Sequence, residues 1–421
     1  MASLRRKSYP REPDIDQSIA PELASPQFNA APYQFYARLR AEAPVYRTTL
    51  PHKQVAWLVT RYEDVLGILK DERFVKDRLN AKPPEENTKT PWVPGVFKPL
   101  TRNMLDVDEP DHTRLRTLVR KAFTPRLIEQ LRGRIQMLCD ELLDTAQRKG
   151  SMELISDYAL PVPATVIADL LGVPAEDRRK FHRWSTKIVS VSPGAEASLQ
   201  GLRLIPSVWA FIRYLRKQFK QRRLEPKNDL ITALVQAEEA GDKLSEDELL
   251  AMGFLLLVAG HETTVNLIAS GTLALLEHPE QMEMLMHNPS LIKPTVEELL
   301  RYTSPVQIAT ERFTREDVTI AETIISRGEL VLAVIGSANR DERQFENSDT
   351  LYIAREPNRH LAFGKGIHHC LGAPLALMEV QIAINTLVQR LPNLRLAVAP
   401  ESLRWRRGLF VRRLEELPLA F

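Results

Sequence analysis

The chain has 421 residues, 26% of them charged and 44% hydrophobic, the balance of a soluble globular protein and not of a disordered or membrane-embedded one. A formal net charge of +3 gives no general attraction to nucleic acid, so no nucleic-acid partner is expected and a basic docking surface has to be a local patch. Two cysteines, Cys139 and Cys370, are too few for a disulfide framework and fit a reducing, cytoplasmic setting.

Residues 1–21 are polar and basic without an apolar run, so a flexible tail lacking a signal peptide or membrane anchor is expected there. Residues 31–41 are predicted to be helical. Val45–Thr48 and Val55–Val59 then read as a hairpin that opens a small sheet. Residues 82–99 read as a loop, but Trp92, Val93, Val96 and Phe97 make it an apolar flap. The next helix is predicted over Asp106–Phe123 with Asp111 as its N-cap. Its i, i+4, i+7 and i+11 stripe is His112, Arg116, Val119 and Phe123, while Arg114 and Lys121 lie on roughly the opposite side. Ile128, Leu131, Ile135, Leu138 and Leu142 form an apolar stripe flanked by Cys139, which reads as a buried core thiol. Helices follow over 163–171, 176–189 and 206–223, with a break at Ser192-Pro193-Gly194. The basic run Arg213, Arg216, Lys217, Lys220, Arg222 and Arg223 reads as a solvated face.

Ser245 and Glu248 have capping-box spacing, and the helix they open is predicted to run to about Glu277, where His278-Pro279 stops it. Such a helix crosses the whole molecule. Its longest apolar stretch, 249–259, is too short to span a bilayer before His261 and Glu262. In its middle lies Ala259-Gly260-His261-Glu262-Thr263-Thr264, where a glycine beside hydroxyl residues predicts a local break in the hydrogen-bond ladder. Further on, Val296-Glu297-Glu298-Leu299-Leu300-Arg301 puts a carboxylate and a guanidinium on one helical face, and spacing alone leaves Glu297 and Glu298 equally open as the partner of Arg301. Val318–Ile320, Thr323–Ile325 and Leu330–Ile335 are predicted strands that extend the small sheet.

Phe363-Gly364-Lys365-Gly366-Ile367-His368-His369-Cys370-Leu371-Gly372 sets one cysteine in a glycine-punctuated loop ahead of a helix with Pro374 in its first turn. A sulfur at a helix N-terminus favours thiolate, the form that binds metal. A zinc site from His360, His368, His369 and Cys370 lacks a closed zinc-finger spacing.

Phe-Gly-x-Gly-x-His-x-Cys-x-Gly resembles the haem-binding loop of the cytochromes P-450, and the resemblance extends over about residues 26–421 through four motifs in order. It implies one catalytic domain over 22–421, mainly α with a small β region, whose long central helix crosses over the haem. The implied cofactor is haem b with Cys370 as axial thiolate. Phe363, Gly364, Gly372, Ala259 and Gly260 are implied to lie against the haem, and His112, Arg116, Arg312 and His368 to bind its propionates. Glu262 and Thr263 match the family's proton-relay acid and threonine. Glu298, rather than Glu297, is implied to pair with Arg301 and Arg355 as a structural triad. Val96, Phe97, Leu255, Val258, Ile308 and Phe410 are expected to line an apolar substrate pocket, beside Leu409. The implied activity is a monooxygenase that hydroxylates or epoxidises a bulky lipophilic compound such as a macrolide, steroid, terpene or fatty acid. Its other reactants are O2 and two electrons, and because no flavin- or nicotinamide-binding fingerprint is present, these are expected from a ferredoxin or flavodoxin with its reductase. The alternative is a peroxide-driven peroxygenase. A monomer is expected.

Overall fold

The computed structural model describes residues 22–50, 54–82, 95–100, 102–189, 199–239 and 241–421. The tail, Trp92, Val93 and the Ser192-Pro193-Gly194 break lie outside the described residues. The principal elements begin with α1 (Tyr33–Glu42), β1 (Val45–Thr49), β2 (Val55–Val59), α2 (Tyr62–Lys70) and β3 (Phe74–Val75). They continue with α3 (Asp111–Ala122), α4 (Arg132–Lys149), β4 (Ser151–Glu153), α5 (Pro161–Leu170), α6 (Arg178–Val189), α7 (Leu199–Leu224), α8 (Leu230–Gln236) and α9 (Glu246–Glu277). The last are α10 (Ile292–Thr303), β5 (Arg312–Thr314), β6 (Val318–Ile320), β7 (Thr323–Ile325), β8 (Leu330–Ala333), α11 (Ala373–Arg390), β9 (Arg395–Leu396) and β10 (Pro418–Ala420). The protein is therefore mainly helical with a minor β region.

The main sheet has the order β1-β2-β8-β5-β3. β8 runs parallel to β2, while β1–β2, β8–β5 and β5–β3 are antiparallel. Alternation along the strands fills two separate cores: Ala56, Leu58, Leu330 and Leu332 enter one, and Trp57, Val59, Val331 and Ala333 the other. Only β8 of the three strands predicted to extend this sheet does so. β6 and β7 pair with each other alone, because Ala321 and Glu322, both at positive φ, turn the chain straight back on itself. A third small sheet, β9-β10-β4, joins the chain's C-terminal end to the start of the α5 region.

α3 is shorter than its predicted span, and Asp111 is its first residue and not its cap. The Glu109 carboxylate occupies the capping role by accepting from the Thr113 amide (3.2 Å) and hydroxyl (2.6 Å). The Ser245–Glu248 capping box is present, and α9 runs 32 residues, about 48 Å at about 1.5 Å per residue. Among the described residues it is one helix long and apolar enough to cross a membrane by length and composition. Buried side chains along it from Leu249 to Leu275, packed against α5, α6, α7, α10 and α11, make it a core helix.

Candidate active site

The loop before α11 is shaped by two glycines in the left-handed region, Gly364 (φ 67°) and Gly366 (φ 72°), where a side chain would strain the backbone. A Cβ on Gly366 would also stand 2.3 Å from the Leu69 carbonyl at the end of α2, so the loop lies directly on that helix. The Cys370 amide donates to the Phe363 carbonyl (2.9 Å), closing the loop, and Gly372 is the N-cap of α11. The Cys370 side chain is a free thiol with an accessible face, although protein surrounds it. Burial pushes its pKa up, against the pull of the Gly372 and Ala373 amides and of Arg116. The helix N-terminus thus does not by itself make this an acidic thiol; a bound metal cation would remove its proton.

Beside this loop the stripe of α3 meets a cationic cluster. The His112 and His368 rings are 4.4 Å apart, and Arg116 donates through Nη2 to the His369 carbonyl at 2.7 Å. Arg312, which opens β5, is buried and its pKa falls to about 10 through burial, with Asp108 opposing. Sequence reasoning missed Lys76, which follows β3 and is buried, with Nζ donating to Thr310 Oγ1 (2.5 Å) and the Glu311 carbonyl (2.8 Å). Burial and then Arg312 bring its pKa down to about 7, although Asp106, Glu311 and Asp108 pull it up. His368 is driven down to about 2 by burial and by His112, Lys76, Arg312 and Arg116. Both ring nitrogens of buried His112 lack a hydrogen bond, with Glu109 Oε1 standing 3.6 Å from Nδ1. Donors converge here with too little negative charge between them, which fits the two carboxylates of the haem expected above.

The middle of α9 contrasts with the rest of that helix. Ala259 and Gly260 are exposed, between a mostly half-buried turn over residues 254–258 and the buried stretch that begins at Thr264. The expected break in the ladder is absent, since the helix is continuous; instead the Thr263 and Thr264 hydroxyls donate back to the carbonyls of Ala259 (2.9 Å) and Gly260 (3.2 Å). Glu262 is ion-paired with Arg413, in the segment before β10. Glu379 on α11 is buried, and burial carries its pKa up to about 8 against the pull of the neighbouring Thr264 hydroxyl. Neither Arg413 nor Glu379 was singled out from the sequence, because each becomes relevant only through a contact with α9.

Between α9 and the cysteine loop, Arg301 grips Glu298 with two bonds of 2.8 Å, and Arg355 Nε lies 3.1 Å from both carboxylate oxygens. Glu298 also accepts from the Tyr352 amide and Asn358 Nδ2, each at 3.0 Å. Arg301 gives its remaining donors to the carbonyls of Asn339, Ser348 and Thr350. A buried charge set satisfied this completely fixes backbone from three chain segments. Glu297 has a different partner, His360 Nε2 at 2.6 Å, so that histidine belongs to α10 and not to a metal site with Cys370. Among the described residues no group of three or more His, Cys, Asp or Glu could hold a metal ion.

The expected pocket residues come from two packed groups. Phe97, Val96, Leu255 and Val258 belong with the main core, and Ile308, Leu409 and Phe410 with the cluster on one face of the sheet. Val306–Val411 bridging and the Gln307 amide donating to the Phe410 carbonyl (2.8 Å) bring the latter segments side by side. Cys139 is buried in the main core, as expected, and burial pushes its pKa up to about 12.

The Cytochrome P450 family model matches residues 203–402. Polyketide biosynthesis cytochrome P450 PksS of Bacillus subtilis (strain 168) is 46% identical over 398 residues, 94% of this chain and 96% of that protein. The solved structure of PksS, from the bacillaene polyketide synthase of Bacillus subtilis 168, superposes with a TM-score of 0.86 at 44% identity, covering 94% of this chain and 98% of that one. P450BioI, solved with an acyl carrier protein ligated to hexadec-9Z-enoic acid, gives 0.83 at 42% identity, covering 94% and 100%. On identities of this size over nearly the whole length, the chain belongs to the cytochrome P450 family and is a monooxygenase, an oxidoreductase whose cofactor is protoporphyrin IX haem with cysteine thiolate ligation.

Proposed function

We propose that the enzyme hydroxylates or epoxidises a bulky lipophilic small molecule, taking two electrons from a ferredoxin or flavodoxin with its reductase. Macrolides, steroids, terpenes and fatty acids are the compound types in view. The two relatives favour a polyketide or fatty-acyl chain among these, delivered on a carrier protein as in the P450BioI complex. The observation that carries the reading is the exposed Ala259-Gly260 pair in the middle of a core helix, followed within one turn by Glu262 and Thr263.

When bound, the haem supplies reductive activation of dioxygen, with one oxygen atom entering the substrate and the other leaving as water. Cys370 is its thiolate ligand, and the Gly372 and Ala373 amides stabilise the sulfur's charge. His112, Arg116, Arg312 and His368, joined by Lys76, hold the haem carboxylates. Phe363, Gly364, Gly372, Ala259 and Gly260 would lie against the haem. Glu262 and Thr263 hold and move protons, the carboxylate as acid–base group and the hydroxyl, whose own proton goes to the Ala259 carbonyl, as a positioned acceptor. Glu298, Arg301 and Arg355 keep the cysteine loop rigid. Val96, Phe97, Leu255, Val258, Ile308 and Phe410 exclude water and orient the substrate. A peroxide-driven reaction makes no demand for the Glu262–Thr263 pair and is not favoured. Residues 22–421 act as one catalytic domain of a monomeric cytoplasmic protein.

The test uses the haem-loaded enzyme. Cys370→Ser is expected to abolish the thiolate-type spectrum of the reduced carbon monoxide complex, and an unchanged spectrum would refute the ligand assignment. Thr263→Ala is expected to keep haem but lower product formed per nicotinamide consumed, with reducing equivalents diverted to peroxide or water. An unaltered ratio removes Thr263 from the mechanism.

A further inference from the structure

α7 carries seven Lys or Arg and no Asp or Glu in 26 residues. Arg222 is used inside the protein, donating to Asp229 Oδ2 at 2.5 Å and to the Gly172 carbonyl at 3.0 Å. Arg213, Arg216, Lys217, Lys220 and Arg223 are all exposed. At about 100° per residue these five, with Trp209 and Leu224, fall within an arc of about 120°, and they extend about 22 Å along the helix. Trp209 is 55% exposed and Leu224 76%, and the Arg213 guanidinium lies 5.4 Å from the Trp209 ring centroid. Of the five cations Arg216 meets a carboxylate, Glu246, at 2.8 Å, both side chains being half exposed. A face made only to meet water mixes signs. Here Arg213 and Lys217, and Arg216 and Lys220, are like charges four residues apart, an arrangement that destabilises an isolated helix. Exposed aromatic and aliphatic surface among them adds what a docking contact uses and a solvated face does not.

The opposite side of the same helix faces the proposed substrate space. The Phe211 and Phe254 rings are 6.4 Å apart and Leu215 packs on Gly253, just before Leu255 and Val258 on α9. α11, which follows the cysteine loop, meets α9 further along, at Thr264 and Gly271. An acidic protein seated on the outer face of α7 thus stands behind the wall of the pocket and not on the side of Cys370.

We propose that the exposed Trp209–Arg223 face of α7 docks the acidic carrier protein that presents the acyl substrate. This rests on the carrier-delivered substrate proposed above. The binding surface is charge-steered and small, of the kind that rises and falls with ionic strength.

The test titrates the full-length, haem-loaded enzyme with acyl carrier protein bearing a hexadec-9-enoyl chain, with free hexadec-9-enoic acid in parallel. The variants are R213E/K217E/K220E and the milder R213Q/K217Q/K220Q; unchanged circular dichroism and haem content verify folding. Charge reversal should raise the carrier Kd about tenfold and neutralisation less, while wild-type affinity falls between about 50 and about 300 mM salt. Affinity for the free acid, read from the haem spin-state shift, should be unchanged. Equal carrier affinity in wild type and reversal variant, or no carrier binding to wild type, overturns the proposal. So does loss of binding to phosphatidylglycerol vesicles, or of first-electron transfer, with carrier affinity intact, since either gives the face to another partner. Stripe-dependent carrier binding without any spin-state shift from the free acid upholds the docking face and sinks the fatty-acyl substrate instead.

Discussion

Glu262 and Arg413 are ion-paired across 151 positions of sequence, tying the middle of α9 to the segment that leads into β10. Both side chains are about one-fifth exposed, so the pair is partly screened and its chief effect is geometric. If Glu262 serves proton movement, Arg413 is a positioning residue that fixes where the carboxylate stands. Glu262→Gln should lower product formation about a hundredfold or more. Arg413→Ala should lower product per nicotinamide about threefold with haem content unchanged, and Arg413→Lys should restore part of it. The measurement is coupling ratio and solvent isotope effect side by side. A variant at Arg413 that matches wild type in both reduces the pair to a packing contact.

The cationic cluster makes a prediction about cofactor retention that does not depend on turnover. Arg312 and Lys76 are both buried, and both lose basicity through burial that nearby carboxylates only partly offset. Haem carboxylates would complete their charge balance. Arg312→Leu should therefore speed haem transfer to apomyoglobin about tenfold and Lys76→Met about threefold. Transfer rates equal to wild type in both variants would place the carboxylates elsewhere.

Short-range relationships were the ones legible in the sequence. The Ser245–Glu248 cap, the i, i+4 stripe of α3 and the glycine loop around Cys370 are set by neighbours within a few residues. The resemblance added order, and with it the choice of Glu298 over Glu297, which helical spacing cannot make. Lys76, Glu379 and Arg413 were invisible for the opposite reason: each is defined by a contact with a distant element. Arg114 shows the limit of periodicity most plainly. Its side of α3 was read correctly, but that side turned out to face Asp242 and the start of α9.

Glu379 gives a pH dependence of stability. Unfolded, its carboxyl releases a proton near the ordinary value of 4.5; folded, burial delays this to about 8. Between those values the folded state binds more protons than the unfolded state, so stability falls as pH rises. Below about 4.5 the group is neutral in both states and contributes no slope. Over the whole window the effect for a group this buried is of order 3–5 kcal/mol. Glu379→Gln removes the titration, so its stability advantage over wild type should grow from pH 5 to about pH 8 and then level off. Urea unfolding of both proteins at several pH values checks it. Parallel curves would mean that Glu379 titrates normally.

Ion pairing, and not helical periodicity alone, decides which cations are left to receive an electron donor. A ferredoxin should approach the Cys370 side through a basic surface, and α3 and the cysteine loop are the elements that supply cations there. Arg114 is withdrawn from that surface by its ion pairs with Asp242 (3.1 Å) and Glu248. Arg120, one turn beyond Arg116 and exposed, shares the stripe whose Arg116 reaches the His369 carbonyl, so it lies toward the loop. Lys121 is exposed beside it, and in the loop Lys365 is half-buried two residues before the exposed Ile367. Arg120→Glu and Lys365→Glu should each slow first-electron transfer about threefold to tenfold at low salt, with the difference shrinking as ionic strength rises. Substrate affinity should be unchanged in both. Arg114→Glu should behave differently, lowering thermal stability by setting three carboxylates against one another while leaving the salt slope of electron transfer as in wild type. Stopped-flow reduction across a salt series separates the two patterns. A salt slope lowered by Arg114→Glu but untouched by Arg120→Glu and Lys365→Glu would return the docking surface to the outer face of α3.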